Sequence, residues 1–147
     1  MKKINIDEAL KLDNTVFIDV RTESEYNEDH ILNAVSLPLF SDEEHKDVGT
    51  IYKTEGKQQA ISKGFDYVQC KLKNIYSEVF KLSNEYDNIV IYCARGGMRS
   101  GSIVSLVSTL GVDVYQLEGG YKAYRNYVLD YFKTVMNEKH FGTFVLP

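Results

Sequence analysis

Apolar positions along this chain fall into short blocks with two spacings. Val16-Phe-Ile-Asp-Val20 and Ile89-Val-Ile-Tyr92 are nearly unbroken, rich in β-branched and aromatic residues, as strands covered on both faces of a parallel sheet require. His30 to Leu39 reads as a turn and a short strand closed by Pro38, and Val112 to Leu117 as a further strand. Between these blocks the spacing changes to about 3.6. Tyr67, Lys71, Asn74, Tyr76, Val79, Phe80 and Leu82 predict one long amphipathic helix from about Phe65 to Asn84, within a polar region from 41 to 85 broken at Gly49, Gly56 and Gly64. Thr22 or Ser24 is placed to cap a short helix carrying Tyr26; a helix from near Ser100 stops at Gly111, and a last one runs from Tyr121 to about Val135. Strand then helix, repeated, predicts an α/β domain with a mostly parallel sheet of about five strands and helices on both faces. Sites in such folds lie beyond the carboxyl ends of the strands.

The length of 147 residues suits one core. The pattern assigns 1–135 to that domain and 136–147 to a tail or the start of a linker, because a new apolar run begins in Lys139-His-Phe-Gly-Thr-Phe-Val-Leu-Pro147. No apolar run approaches the ~20 residues of a membrane span, and Met1-Lys-Lys-Ile-Asn-Ile-Asp7 lacks the apolar stretch of a secretion signal, so a cytoplasmic protein is expected, with no membrane partner. A net charge of −4 argues against a general nucleic-acid platform. Cys70 and Cys93 sit in unlike contexts without the spacing of a metal site, so neither a bridge nor a bound metal is expected.

Chemistry concentrates in Cys93-Ala-Arg-Gly-Gly-Met-Arg-Ser100. A strand delivers Cys93 to a glycine-rich loop, and a helix follows at once. Gly96 and Gly97 let backbone N–H groups from Ala94 to Arg99 close around a small anion. The helix N-terminus adds roughly half a positive charge, and Arg95 and Arg99 add two guanidinium groups. Such a cradle favours an ionised sulfur, a persulfide or an oxyanion. Cys70, on a predicted helix without neighbouring glycine or arginine, reads as a structural thiol.

Further stretches carry a family resemblance. Val16-Phe-Ile-Asp-Val-Arg21, Glu25-Tyr26, His30-Ile31, Ala34, Leu37-Pro38 and Leu117-Glu-Gly-Gly-Tyr-Lys-Ala123 resemble the successive signatures of rhodanese-like domains, with Asp29 and Asn33 where glycine is usual. The Cys-x5-Arg spacing from Cys93 to Arg99 exceeds that of ordinary single-domain rhodaneses. With Gly49-Thr-Ile-Tyr-Lys53, Gln58-Gln-Ala60 and Gly64 it resembles the N-terminal domain of the tRNA 2-selenouridine synthase family, departing at Ala94, where that family carries tryptophan. The resemblance implies replacement of sulfur by selenium at the wobble 2-thiouridine of tRNA, with Cys93 as nucleophile. It also implies selenophosphate and geranyl diphosphate as substrates of the full enzyme, no cofactor bound in this domain, and a P-loop domain in cis or in trans. No G-x-x-x-x-G-K-[ST] occurs in these residues.

Residues Ala94 to Ser100 are thus the candidate anion site. Asp19 and Arg21, at the end of the first core strand, either line it or form an architectural ion pair with Glu25 as a third member; the ion pair is the favoured reading. His30 is expected to be a hydrogen-bonded structural residue, His45 and His140 to face solvent, and Gly119 and Gly120 to serve a tight turn. Lys53, Lys57, Lys63, Lys71 and Lys73, with Tyr52 and Tyr67, either contact tRNA or form a solvated face, the latter favoured. The competing functions are a persulfide-forming sulfurtransferase, a Cys-x5-Arg phosphatase or arsenate reductase, and a non-catalytic rhodanese module.

Overall fold

The computed structural model describes residues 2–140, the last two by backbone alone. Its sheet has the order β1-β5-β4-β2-β3, every neighbouring pair parallel, built from β1 (Lys2–Ile4), β2 (Thr15–Asp19), β3 (Val35–Ser36), β4 (Asn88–Tyr92) and β5 (Tyr115–Leu117). Among the described residues the α/β architecture, the parallel pairing and the five strands match the expectation. The fifth strand is β1, only three residues long and exposed at two of them, so it carries no apolar run to read. β5 is also shorter than the apolar stretch from Val112 suggested, although Val112 and Val114 are buried.

Alternation along the central strands divides the core. Val16, Ile18, Val20, Ile89, Ile91 and Cys93 face one layer, against residues of α4 (Lys57–Val68), α5 (Leu72–Glu85) and α6 (Met98–Thr109), with Val48 of α3 (Asp42–Glu55) at its edge. Phe17, Val90, Tyr92 and Leu117 face the other, against α1 (Ile6–Lys11), α2 (Glu23–Glu28) and α7 (Gly120–His140). Thr22 and Ser41 close reciprocal capping boxes with Glu25 and Glu44, which fixes where α2 and α3 begin. Asn33 takes a φ of 65°, a conformation that Asn tolerates better than other non-glycine residues.

The structure revises several element boundaries. The expected single helix from Phe65 to Asn84 is two, α4 and α5, with a corner at Gln69–Lys71. Both halves are amphipathic and the corner holds neither glycine nor proline, so the spacing runs through it unmarked; Lys71 turns there, donating to the Leu39 carbonyl and pairing with Glu44. Gly49 and Gly64 lie inside α3 and α4, and of the three glycines only Gly56, at φ 99°, breaks a helix. The last helix continues five residues beyond its expected end near Val135. Residues 141–147, most of the expected tail, lie outside the described residues.

Candidate active site

β4 is the central strand, and it ends by releasing Cys93 into a loop clamped from the neighbouring β5–α7 turn. Tyr121 and Lys122 donate their backbone N–H to the carbonyls of Cys93 and Ala94, at 2.8 and 3.0 Å. Two glycines make the approach sterically allowed. A Cβ on Gly120 (φ 58°) would lie 2.3 Å from the Cys93 carbonyl oxygen and within 2.8 Å of two loop nitrogens, and one on Gly96 (φ 73°) would lie 2.9 Å from the Gly119 nitrogen. Gly119 and Gly120 therefore serve backbone geometry, as expected, and the turn they form shapes the cysteine loop.

Helix α6 begins at Met98, two residues earlier than the sequence suggested, so Arg99 and Ser100 belong to its first turn. Its N-cap is Gly97, without a side-chain acceptor for the first N–H groups, an arrangement suited to an external anion. Cys93 is 3% exposed, and its Sγ lies 3.1 Å from Oγ of the fully buried Ser100. Behind Ser100 stands Gln116 of β5, whose Nε2 is 3.0 Å from Ser100 Oγ, 3.0 Å from the Gly96 carbonyl oxygen and 3.2 Å from that of Gly97. Nothing in the sequence singled out Gln116. The only signal was a polar residue at an inward position of a short apolar strand.

The two loop arginines differ. Arg95 is exposed, whereas Arg99 reaches back to α2 and binds Glu25 through both carboxylate oxygens, at 2.7 and 3.4 Å. Burial pushes the Glu25 carboxyl up, but the hydrogen bond and charge of Arg99 outweigh this and hold it below the usual carboxylate range. Glu25 thus serves Arg99, not the Asp19–Arg21 pair to which the sequence assigned it. His45, expected in solvent, is half-buried beside them; burial first, then the Arg99 charge, lower its proton affinity against the opposing pull of Glu25 and Asp42.

Asp19 and Arg21 form a buried ion pair at 2.8 Å, closed by the Arg21 backbone N–H donating to Asp19 and by the Arg21 side chain donating to the Asp29 carbonyl. Arg21 also lies over the Tyr121 ring, 4.2 Å from its centroid, and the Tyr121 hydroxyl donates to Asp29. Burial first, then that bond, push the Tyr121 hydroxyl up to about 12. His30 stacks on Tyr26 and bonds its carbonyl, as a structural histidine should. His140 has no described side chain.

Beside the cysteine loop, α3, α4 and the start of α6 enclose an open apolar cavity of about 310 Å³, lined by Phe40, Val48, Ile61, Val68 and Met98 with Arg99 at its edge. Of the lysines considered for RNA contact, Lys71 is bound to Glu44 and Lys57 borders this cavity, while Tyr67 donates to Asp47. Lys63 lies over the Tyr67 ring, 5.1 Å from its centroid. Among the described residues no helix is long and apolar enough to cross a membrane, and no cluster of His, Cys, Asp or Glu could hold a metal.

A parallel sheet whose central strand ends in a cysteine cradle defines a rhodanese-like protein. The Rhodanese-like domain family model matches residues 5–127, and the chain belongs to that family. Among curated proteins it is 37% identical over 122 residues to the tRNA 2-selenouridine synthase of Proteus mirabilis and 37% identical over 123 residues to that of Shewanella frigidimarina. Each match covers 82% of this chain, with 34% and 33% of the relative. The chain thus spans about a third of the length of these relatives. A crystal structure of the N-terminal domain of a putative ATP/GTP binding protein from Clostridium difficile 630 is 69% identical, with a TM-score of 0.86, covering 87% of this chain and 99% of that one. An As-Sb reductase from Leishmania major, 17% identical with a TM-score of 0.57 over 88% of this chain and 79% of its own, shares the fold.

Proposed function

We propose that this chain is the rhodanese-like part of a tRNA 2-selenouridine synthase and that Cys93 is its nucleophile in the exchange of sulfur for selenium at the wobble 2-thiouridine. The observation that carries the reading is the placement of Cys93: at the carboxyl end of the central strand, its sulfur beside Ser100, at the mouth of a helix whose N-terminus has no side-chain cap. Curated relatives bearing that enzyme's name support it.

In this reading the backbone N–H groups from Ala94 to Arg99 stabilise the negative charge on sulfur, selenium or a phosphate oxygen. Arg95, exposed on the loop, meets the incoming anion first. Arg99 offers its planar guanidinium to the same anion from the α6 side, in exchange for or alongside Glu25. Asp19 and Arg21 support the site by fixing α2 and the Tyr121 turn around it, without touching substrate. Selenophosphate and geranyl diphosphate are proposed as substrates of the whole enzyme, acting on tRNA in the cytoplasm. A P-loop nucleotide-binding domain is proposed as the partner of the rhodanese-like domain, in cis or in trans; the greater length of the relatives and the ATP/GTP-binding description of the similar crystal structure support that partnership.

The test is selenophosphate-dependent conversion of 2-thiouridine to 2-selenouridine in tRNA by the full-length protein. Cys93→Ser is expected to abolish conversion while leaving the thermal melt unchanged within a few degrees, and full retained conversion would overturn the assignment.

A further inference from the structure

The amide of Gln116 meets three oxygen atoms, and their chemistry fixes its direction. Two are the carbonyl oxygens of Gly96 and Gly97, which only accept, so the group facing them is the donating NH2 and not the side-chain carbonyl. The same NH2 reaches Ser100 Oγ at 3.0 Å. Its two protons therefore divide between the glycine carbonyls on one side and the serine oxygen on the other. Ser100 Oγ, accepting from Gln116, keeps its own single proton for another partner, and the atom within reach is Cys93 Sγ at 3.1 Å. All three side chains are buried, so water does not compete for these positions.

We propose that Gln116 is a positioning residue that orients the Ser100 hydroxyl as a donor to the Cys93 thiolate. A thiolate has no proton to give, so it needs a donor; a serine free to rotate offers its lone pairs as readily as its proton, and the amide removes that freedom. The proposal rests on the reading of Cys93 as the nucleophile, but its test uses the thiol itself and not selenium transfer, so failure of one is distinguishable from failure of the other.

The experiment is the pH–rate profile of Cys93 alkylation by iodoacetamide in the full chain carrying Cys70→Ser, followed by mass spectrometry of the Cys93 peptide. Ser100→Ala and Gln116→Met are each expected to displace the profile to higher pH, slowing alkylation at neutral pH about tenfold, the equivalent of one charge-assisted hydrogen bond. Because Gln116 acts through Ser100, the double variant is expected to match Ser100→Ala alone. Gln116→Asn keeps the amide but is one methylene too short to reach Ser100. It is expected to reproduce the displacement and stands in should Gln116→Met not fold, with folding checked by thermal melting. A Gln116 variant whose profile overlays the parent, or a double variant whose displacement is the sum of the two, would overturn the proposal.

Discussion

Two arginine–carboxylate pairs hold this end of the sheet, with nearly equal contact distances: Arg21–Asp19 at 2.8 Å and Arg99–Glu25 at 2.7 Å. Their surroundings separate them. In the first, Asp19 is fully buried and bonded by both the side chain and the backbone N–H of Arg21, which in turn is capped by the Asp29 carbonyl and the Tyr121 ring. In the second, the Glu25 and Arg99 side chains are 28% and 14% exposed, and the guanidinium sits in the first turn of the helix that opens on the cysteine. A buried pair bonded through both partners is part of the frame. A pair with an open side has the freedom that the proposed role of Arg99 as an anion ligand requires.

Breaking the closed pair should cost most. Arg21→Met leaves Asp19 as a buried charge without its counter-charge and is expected to destabilise by about 3–5 kcal/mol, read from urea denaturation. At the open pair the larger effect should fall on function. Arg99→Lys keeps the charge but loses the planar fork, so selenium transfer by the full-length protein should drop about tenfold while stability falls by no more than about 1 kcal/mol. A stability loss at Arg99 equal to that at Arg21 would erase the distinction.

Glu25→Gln sharpens the comparison through pH. Glu25 is held below its ordinary range in the folded protein, so its contribution is present above that range and is lost as pH falls through the folded value. The melting temperature of Glu25→Gln should therefore lie slightly below that of the parent near neutral pH, by the equivalent of under about 1 kcal/mol, and the two should converge in acid. Divergence on acidification would contradict the assignment of the pair. The smallest effect belongs to Cys70→Ser: this exposed thiol donates a long hydrogen bond to the Tyr67 carbonyl, at 3.7 Å, so stability should change by less than about 0.5 kcal/mol.

The same contrast between closed and open environments explains what could be read from the sequence. β2 and β4 are covered on both faces, so nearly every position in them had to be apolar, and the run announced the strand. Cys93, its glycines and the following helix were legible because the chemistry is contiguous in the chain. What escaped was held by partners distant in sequence. Glu25 is 74 positions from Arg99 and Gln116 is 16 from Ser100; neither spacing carries a period that a strand or helix would impose. The corner between α4 and α5 escaped for a related reason, since Lys71 turns there on contacts to Leu39 and Glu44, about thirty residues earlier. The expectation that Asp19 and Arg21 form an ion pair succeeded because the two are separated by one residue at a strand end, where the geometry is local.

The central claim is that the cradle, not exposure, sets the reactivity of Cys93, and the two cysteines of the chain provide an internal comparison. Cys70 is exposed and Cys93 is buried, so access alone favours Cys70. The measurement is competitive alkylation of the full chain with limiting iodoacetamide at neutral pH, with each cysteine quantified by peptide mass spectrometry. Cys93 is expected to be modified ahead of Cys70, because only the ionised form reacts and the loop N–H groups, Ser100 and the α6 N-terminus favour it. Preferential modification of Cys70, with Cys93 left as thiol, would contradict it.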